Sequence, residues 1–124
     1  MEILDTNLFI DHFRGYTPAT LFFESLEKAM FSAVTETELV AGSQCSVPET
    51  KKDILQFLSK WEKINVDNSI ALLAGDLARE HRKDGLEIGD AIIAATAIIN
   101  KAELLTRNVK DFEKIKALKV RSPY

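Results

Sequence analysis

The stretch Ala91–Ile99 is the longest near-apolar run in the chain, broken only by Thr96. Apolar residues lie on every side of the helix it forms over Ala91–Lys101, so that helix is fully buried. A bilayer span needs about 18 consecutive apolar residues. The run is half that length, so it belongs inside a folded domain and no transmembrane helix is expected.

Around this helix, short apolar strands alternate with amphipathic helices. Met1–Leu4 is apolar and runs into Asp5, which reads as a buried first strand. Met30–Val34, Lys63–Val66, Glu103–Thr106 and Lys119–Val120 are the further strand candidates. A short helical pattern from Leu8 stops at Gly15, and Pro18 opens a second helix over Ala19–Lys28. Thr35-Glu36-Thr37-Glu38 has the form of a capping box, with Thr35 as N-cap and Glu38 three residues on. The helix it starts ends near Gly42, and Ser43–Thr50 is the longest loop candidate. Lys51–Trp61 is helical, Asp67 or Asn68 caps a helix over Ser69–Lys83 that stops at Gly85, and Val109–Ile115 is a short helix. Strands alternating with helices predict an α/β fold with a parallel sheet. The 124 residues suit one domain, residues 1–124, with no linker and no internal repeat.

Composition narrows the class further. Hydrophobic residues make up 46% and charged residues 28%, which excludes collagen, coiled-coil rods and low-complexity disorder. The start MEILDTN has no secretion-signal pattern, and the single Cys45 allows neither an internal disulfide nor a zinc site. A cytoplasmic protein is expected. The net charge of −3 hides an asymmetry: residues 1–49 carry −6 and residues 107–124 carry +4. That distribution suits an acidic centre beside a phosphate-attracting rim, although a solvated C-terminal surface would look the same.

In an open parallel sheet, functional groups gather beyond the carboxyl ends of the strands. Asp5, Thr6 and Asn7 follow the first strand, and Thr35 and Glu38 follow the second. Thr106, Arg107, Asn108 and Asp111 follow Leu104–Leu105, and Asp90 opens the buried helix. Singly, each acid has a plain role as a cap, a first-turn residue or a solvated charge. Together, four carboxylates at one sheet end repel and resist ionisation unless a cation sits among them. Oxygen ligands without His or Cys point to Mg²⁺ or Mn²⁺, which polarise phosphoryl oxygens and activate water for displacement at phosphorus. No glycine-rich phosphate loop and no Gly-x-Ser-x-Gly turn is present.

Four strings, LDTNLFID at 4–11, VTETELVAG at 34–42, IGDAIIAATA at 88–97 and LLTRNVKDFEKI at 104–115, together resemble a PIN domain. The resemblance is to the VapC-type ribonuclease toxins of prokaryotic toxin–antitoxin pairs, and it runs from residue 3 to about 115. It implies a three-layer α/β/α fold with a central, mainly parallel sheet and a Mg²⁺ or Mn²⁺ site held by acids. By position, Asp5, Glu38 and Asp90 match the family's first three acids. Asp111 is favoured as the fourth, with Asn108 as a site-lining amide beside Thr6, Asn7 and Thr106. Further implications are an RNA substrate, a cognate antitoxin and a homodimer.

The leading reading is therefore a metal-dependent endoribonuclease toxin, with Arg14, Arg107 and Lys110 as candidates to hold the RNA backbone. The alternative is a catalytically inactive PIN-like module that binds RNA or a partner; it would need lost acids, and all four positions are filled. A phosphoaspartate receiver or Asp-nucleophile phosphatase fits worse. The phosphatase pattern wants a second acid two residues after Asp5, where Asn7 stands. Phe22, Phe23, Phe57 and Trp61 exceed what one small sheet can cover, which suggests a surface buried against a second copy or an antitoxin segment.

Overall fold

The computed structural model describes residues 1–124. Five strands form one sheet: β1 (Glu2–Leu4), β2 (Met30–Ser32), β3 (Glu62–Ile64), β4 (Glu103–Leu105) and β5 (Val120–Arg121). Their spatial order is β3-β2-β1-β4-β5, and every neighbouring pair is parallel. Helices α1 (Thr6–Phe13), α2 (Thr17–Ser25), α3 (Ala33–Val40), α4 (Pro48–Leu58), α5 (Asn68–Glu80), α6 (Ile88–Ile99) and α7 (Val109–Phe112) connect them.

Side chains alternate along each strand and so divide the core in two. Ile3, Met30 and Leu104 face a cluster built with Ile70, Ala74 and Leu77 of α5, the alanines of α6 and Phe112 of α7. Leu4, Phe31 and Leu105 face the opposite cluster with Leu8 and Phe9 of α1, Phe23 of α2, Leu39 of α3 and Ile54 and Leu58 of α4. Covering both faces of a parallel sheet produces the three-layer α/β/α architecture.

The apolar run at 91–99 lies in α6, where Ala91, Ile93, Ala94, Ala95, Thr96 and Ala97 are buried. The burial is not uniform, for Ile88 and Ile99 at the two ends are exposed. Asp67, rather than Asn68, caps α5 by accepting a 2.9 Å hydrogen bond from the Ile70 N–H. The expected loop at Ser43–Thr50 is instead a 3-10 turn over Ser43–Ser46 followed directly by α4. Pro48 takes the first turn of α4, where a missing N–H costs nothing.

The capping box is a correction. Ser32, not Thr35, caps α3, its hydroxyl accepting from the Val34 N–H at 3.1 Å. Thr35 therefore lies inside the first turn, with its side chain fully buried. Part of the aromatic surface on α2 and α4 is covered within the chain itself. Phe57 packs edge-on against Phe9, Phe13 and Phe23 and stacks with His12 at 4.4 Å, while Phe22 and Trp61 are half-buried around them.

Candidate active site

In the order β3-β2-β1-β4-β5 the chain proceeds from β1 to β2 and β3 on one side, then returns to add β4 and β5 on the other. The switch falls between β1 and β4, the place where an open parallel sheet forms a crevice beyond the carboxyl ends of its strands. Asp5 stands at the end of β1 and Thr106 at the end of β4, with the Asp5 N–H bonded to the Leu105 carbonyl at 2.9 Å.

Asp5 is buried and fixed at both oxygens. The Thr6 N–H donates to Oδ1 at 2.7 Å and the Thr106 hydroxyl donates to Oδ2 at 2.7 Å. The Thr106 hydroxyl in turn accepts from the Asn108 N–H at 3.0 Å and from Asn7 Nδ2 at 3.3 Å. Both neighbours being donors, its single proton is directed to Asp5. Glu38 extends from α3, and its Oε1 accepts from the Thr6 hydroxyl at 2.6 Å. Thr6 thus holds two acids, one by its backbone and one by its side chain. Gly89, in the first turn of α6, leaves room for Glu38: a Cβ there would meet Glu38 Oε2 at 3.0 Å.

Asp90 is half-buried in the same turn of α6, and Asp111 is exposed on α7, where its N–H bonds the Asn108 carbonyl at 3.0 Å. Electrostatics tie all four acids together. Burial pushes Asp5 up to about 6 against the pull of its hydrogen bonds, with the Glu38 and Asp111 charges pushing the same way. Burial also pushes Asp90 up to about 7, followed by repulsion from Asp5, Glu38, Asp111 and Glu87. No Lys, Arg or His forms an ion pair with any of the four. No three of them yet stand close enough to close on one ion.

The donor set nonetheless fits a hard divalent cation. It is all oxygen, it carries excess negative charge without a basic partner, and Asn7 Oδ1 beside it is buried with no hydrogen-bond partner. The result is an acid-lined crevice at a parallel-sheet switch point.

The basic candidates divide. Arg107 is not free: it pairs with Asp11 at 3.1 Å and lies over the rings of Tyr16 and Tyr124. Tyr124 completes that cluster by donating to the same Asp11 oxygen at 2.9 Å. Lys110 is exposed on α7. Arg14 is exposed on the wall of a groove of about 470 Å³ shared with Ile10, Phe13, Leu39 and Gln44. Sequence reasoning placed Thr35 at the sheet end but read it as the helix cap, and it missed the Asp11–Tyr124 anchor. A fully buried hydroxyl three residues before a candidate acid is visible only once α3 is placed.

The PIN domain family model matches residues 3–118. Ribonuclease VapC19 of Mycobacterium tuberculosis is 36% identical over 119 residues, covering 90% of this chain and 92% of its own. A toxin–antitoxin complex from Klebsiella pneumoniae contains a chain that superposes with a TM-score of 0.83 at 33% identity, covering 100% of this chain and 98% of that one. VapBC2 from Rickettsia felis, bound to a DNA fragment from its promoter, superposes with a TM-score of 0.80 at 28% identity, covering 98% and 97%. The chain belongs to the PIN-domain family, in its VapC ribonuclease branch.

Proposed function

We infer that the chain is an endoribonuclease, the toxin of a type II toxin–antitoxin pair, and propose that its cleavage depends on Mg²⁺ or Mn²⁺. Relatives named VapC ribonucleases and a fold shared with toxin–antitoxin complexes support the activity. The observation that carries the metal is the unpaired acid crevice, in which Asp5 and Asp90 are held far above the ordinary carboxylate range.

In this proposal residues 1–124 act as one PIN-like nuclease domain in the cytoplasm, and Asp5, Glu38, Asp90 and Asp111 would hold the cation. Bound there, such a cation offsets charge on phosphoryl oxygens and lowers the pKa of water. The chain's own groups prepare the site. The Thr106 hydroxyl and the Thr6 N–H fix the Asp5 carboxylate, and the Thr6 hydroxyl fixes Glu38. Asp111, exposed on α7, would bind a second ion or orient the attacking water. Asn7 and Asn108 line the pocket through Thr106. Lys110 and Arg14 are open to RNA phosphates, whereas Arg107 first has to leave Asp11.

Two partners complete the proposal: a cognate antitoxin that blocks the crevice and a second copy of the chain. No helix is long and apolar enough to cross a membrane. Purified protein is expected to cut single-stranded RNA with Mg²⁺ or Mn²⁺ and to stop with EDTA. Undiminished cleavage in EDTA would sink the metal mechanism. Absence of cleavage with either ion, together with intact RNA binding, would favour the inactive binding module. Light scattering at tens of micromolar, by rough estimate, tests the homodimer.

A further inference from the structure

Thr35 is fully buried in the first turn of α3, yet it carries a hydroxyl. That hydroxyl meets Thr6 Oγ1 at 2.8 Å. Thr6 has only one hydroxyl proton, and Glu38 Oε1, at 2.6 Å, is a carboxylate oxygen that accepts. The proton of Thr6 is therefore committed to Glu38, and the proton in the Thr35–Thr6 contact comes from Thr35. The three groups form a one-way relay from the core to the crevice.

We propose that Thr35 is a positioning residue that orients Glu38 through Thr6; this rests on the reading of Glu38 as a cation-holding acid. Glu38 is exposed on α3, and the Thr6 hydroxyl is its one hydrogen-bond partner. A long carboxylate tethered at one oxygen samples several rotamers unless that tether has a fixed direction. Thr35 gives it one. By donating into Thr6, it stops the Thr6 hydroxyl from rotating away, and a hydroxyl that accepts one bond donates a stronger one. The same Thr6 N–H holds Asp5, so the relay also sets Glu38 relative to Asp5.

Two substitutions separate the proton from the packing. Thr35→Val keeps the branched shape and removes the proton; Thr35→Ser keeps the proton and removes a methyl. Thr37→Val is the control, since Thr37 is exposed on the same helix and reaches only the Ala33 carbonyl, at 3.5 Å. Three quantities are measured: Mn²⁺ affinity without RNA, the kcat and KM for RNA cleavage, and the melting temperature in EDTA.

Thr35→Val is expected to weaken Mn²⁺ binding roughly tenfold and to lower kcat by a similar factor with KM unchanged. Its melting temperature should move by no more than about 3 °C. Thr35→Ser should recover both quantities to within about threefold of the unaltered protein, and Thr37→Val should match it. In a Thr6→Val background, Thr35→Val should add nothing, because the relay is already cut. If Thr35→Val does not fold, Thr35→Ala and Thr35→Ser carry the same comparison. Unaltered Mn²⁺ affinity and kcat in Thr35→Val would overturn the relay, as would a Thr35→Ser protein as impaired as Thr35→Val. If the unaltered protein neither binds Mn²⁺ nor cuts RNA, the metal-dependent reading fails first, and the relay loses its role with it.

Discussion

The two sides of the crevice are built differently. On the β1–α1 side, Asp5 is buried and bonded at both oxygens, and Glu38 is tethered through a buried threonine pair. On the α6–α7 side, Asp90 is half-buried and Asp111 exposed, and neither carboxylate has a hydrogen-bond partner in the protein. One side is preorganised; the other has charge in place but freedom to move. A site made this way can admit a cation and a phosphate from the loose side and align them against the rigid one. Preorganisation also predicts which losses are severe, because a group with a fixed position has no substitute.

The largest effect should therefore come from Asp5→Asn. An amide keeps the shape but not the charge, and cleavage is expected to fall at least about a hundredfold in single-turnover assays. In EDTA at neutral pH the same variant should melt at a higher temperature, since it removes a buried charge repelled by its neighbours. Retained cleavage would place the rigid side's centre elsewhere.

Glu38→Gln comes next. The capping-box role would make this change silent, because Gln serves there as well as Glu. Ser32 already caps α3, so no such role is left to Glu38. Loss of about tenfold or more in cleavage, with a melting temperature within about 2 °C, is expected.

A third experiment needs no RNA. Asp5 rises from 3.8 to about 6 and Asp90 from 3.8 to about 7 on folding, so the folded chain holds these protons more tightly than the unfolded one. Stability in EDTA should therefore be greatest below about pH 4 for these two groups and be lost as pH rises to about 7. Asp5 alone contributes on the order of 2–3 kcal/mol to that slope. Urea titrations across this range check it, and Asp5→Asn should flatten the curve. A metal-free protein whose stability rises over the same window would contradict the crowding of the acids.

The smallest effects should lie on the loose side. Asp111→Asn is expected to weaken cation binding and slow cleavage by about threefold to tenfold, and Asn108→Ala by about twofold or less. The opposite ranking would show a site of three carboxylates completed by an amide.

Much of the architecture was legible because it rests on short-range pattern. Alternation along Ile3–Leu4, Phe31 and Leu104–Leu105, and the apolar run of α6, state burial directly. The acids were legible as well, since strand ends in a parallel sheet announce where side chains collect. Less legible were helix starts. Thr35 and Ser32 are both good capping residues, and the choice between them depends on where β2 releases the chain. Nor does the sequence show that Phe57 packs edge-on against Phe9, Phe13 and Phe23 and stacks on His12.

By itself, then, the sequence determined an α/β chain with a parallel sheet, a buried alanine-rich helix and acids at the strand ends. Each follows from periodicity or from a residue's place beside a strand. Tertiary structure alone decided which hydroxyl holds which acid. Thr6 and Glu38 are 32 residues apart, and Thr106 and Asp5 are 101 apart. Those bonds exist only because the sheet places β1 between β2 and β4. It also decided that Arg107 is tied to Asp11, 96 residues away, rather than left open beside the crevice. Hydrogen bonds depend on ångström-scale distance and direction, and a linear pattern carries neither.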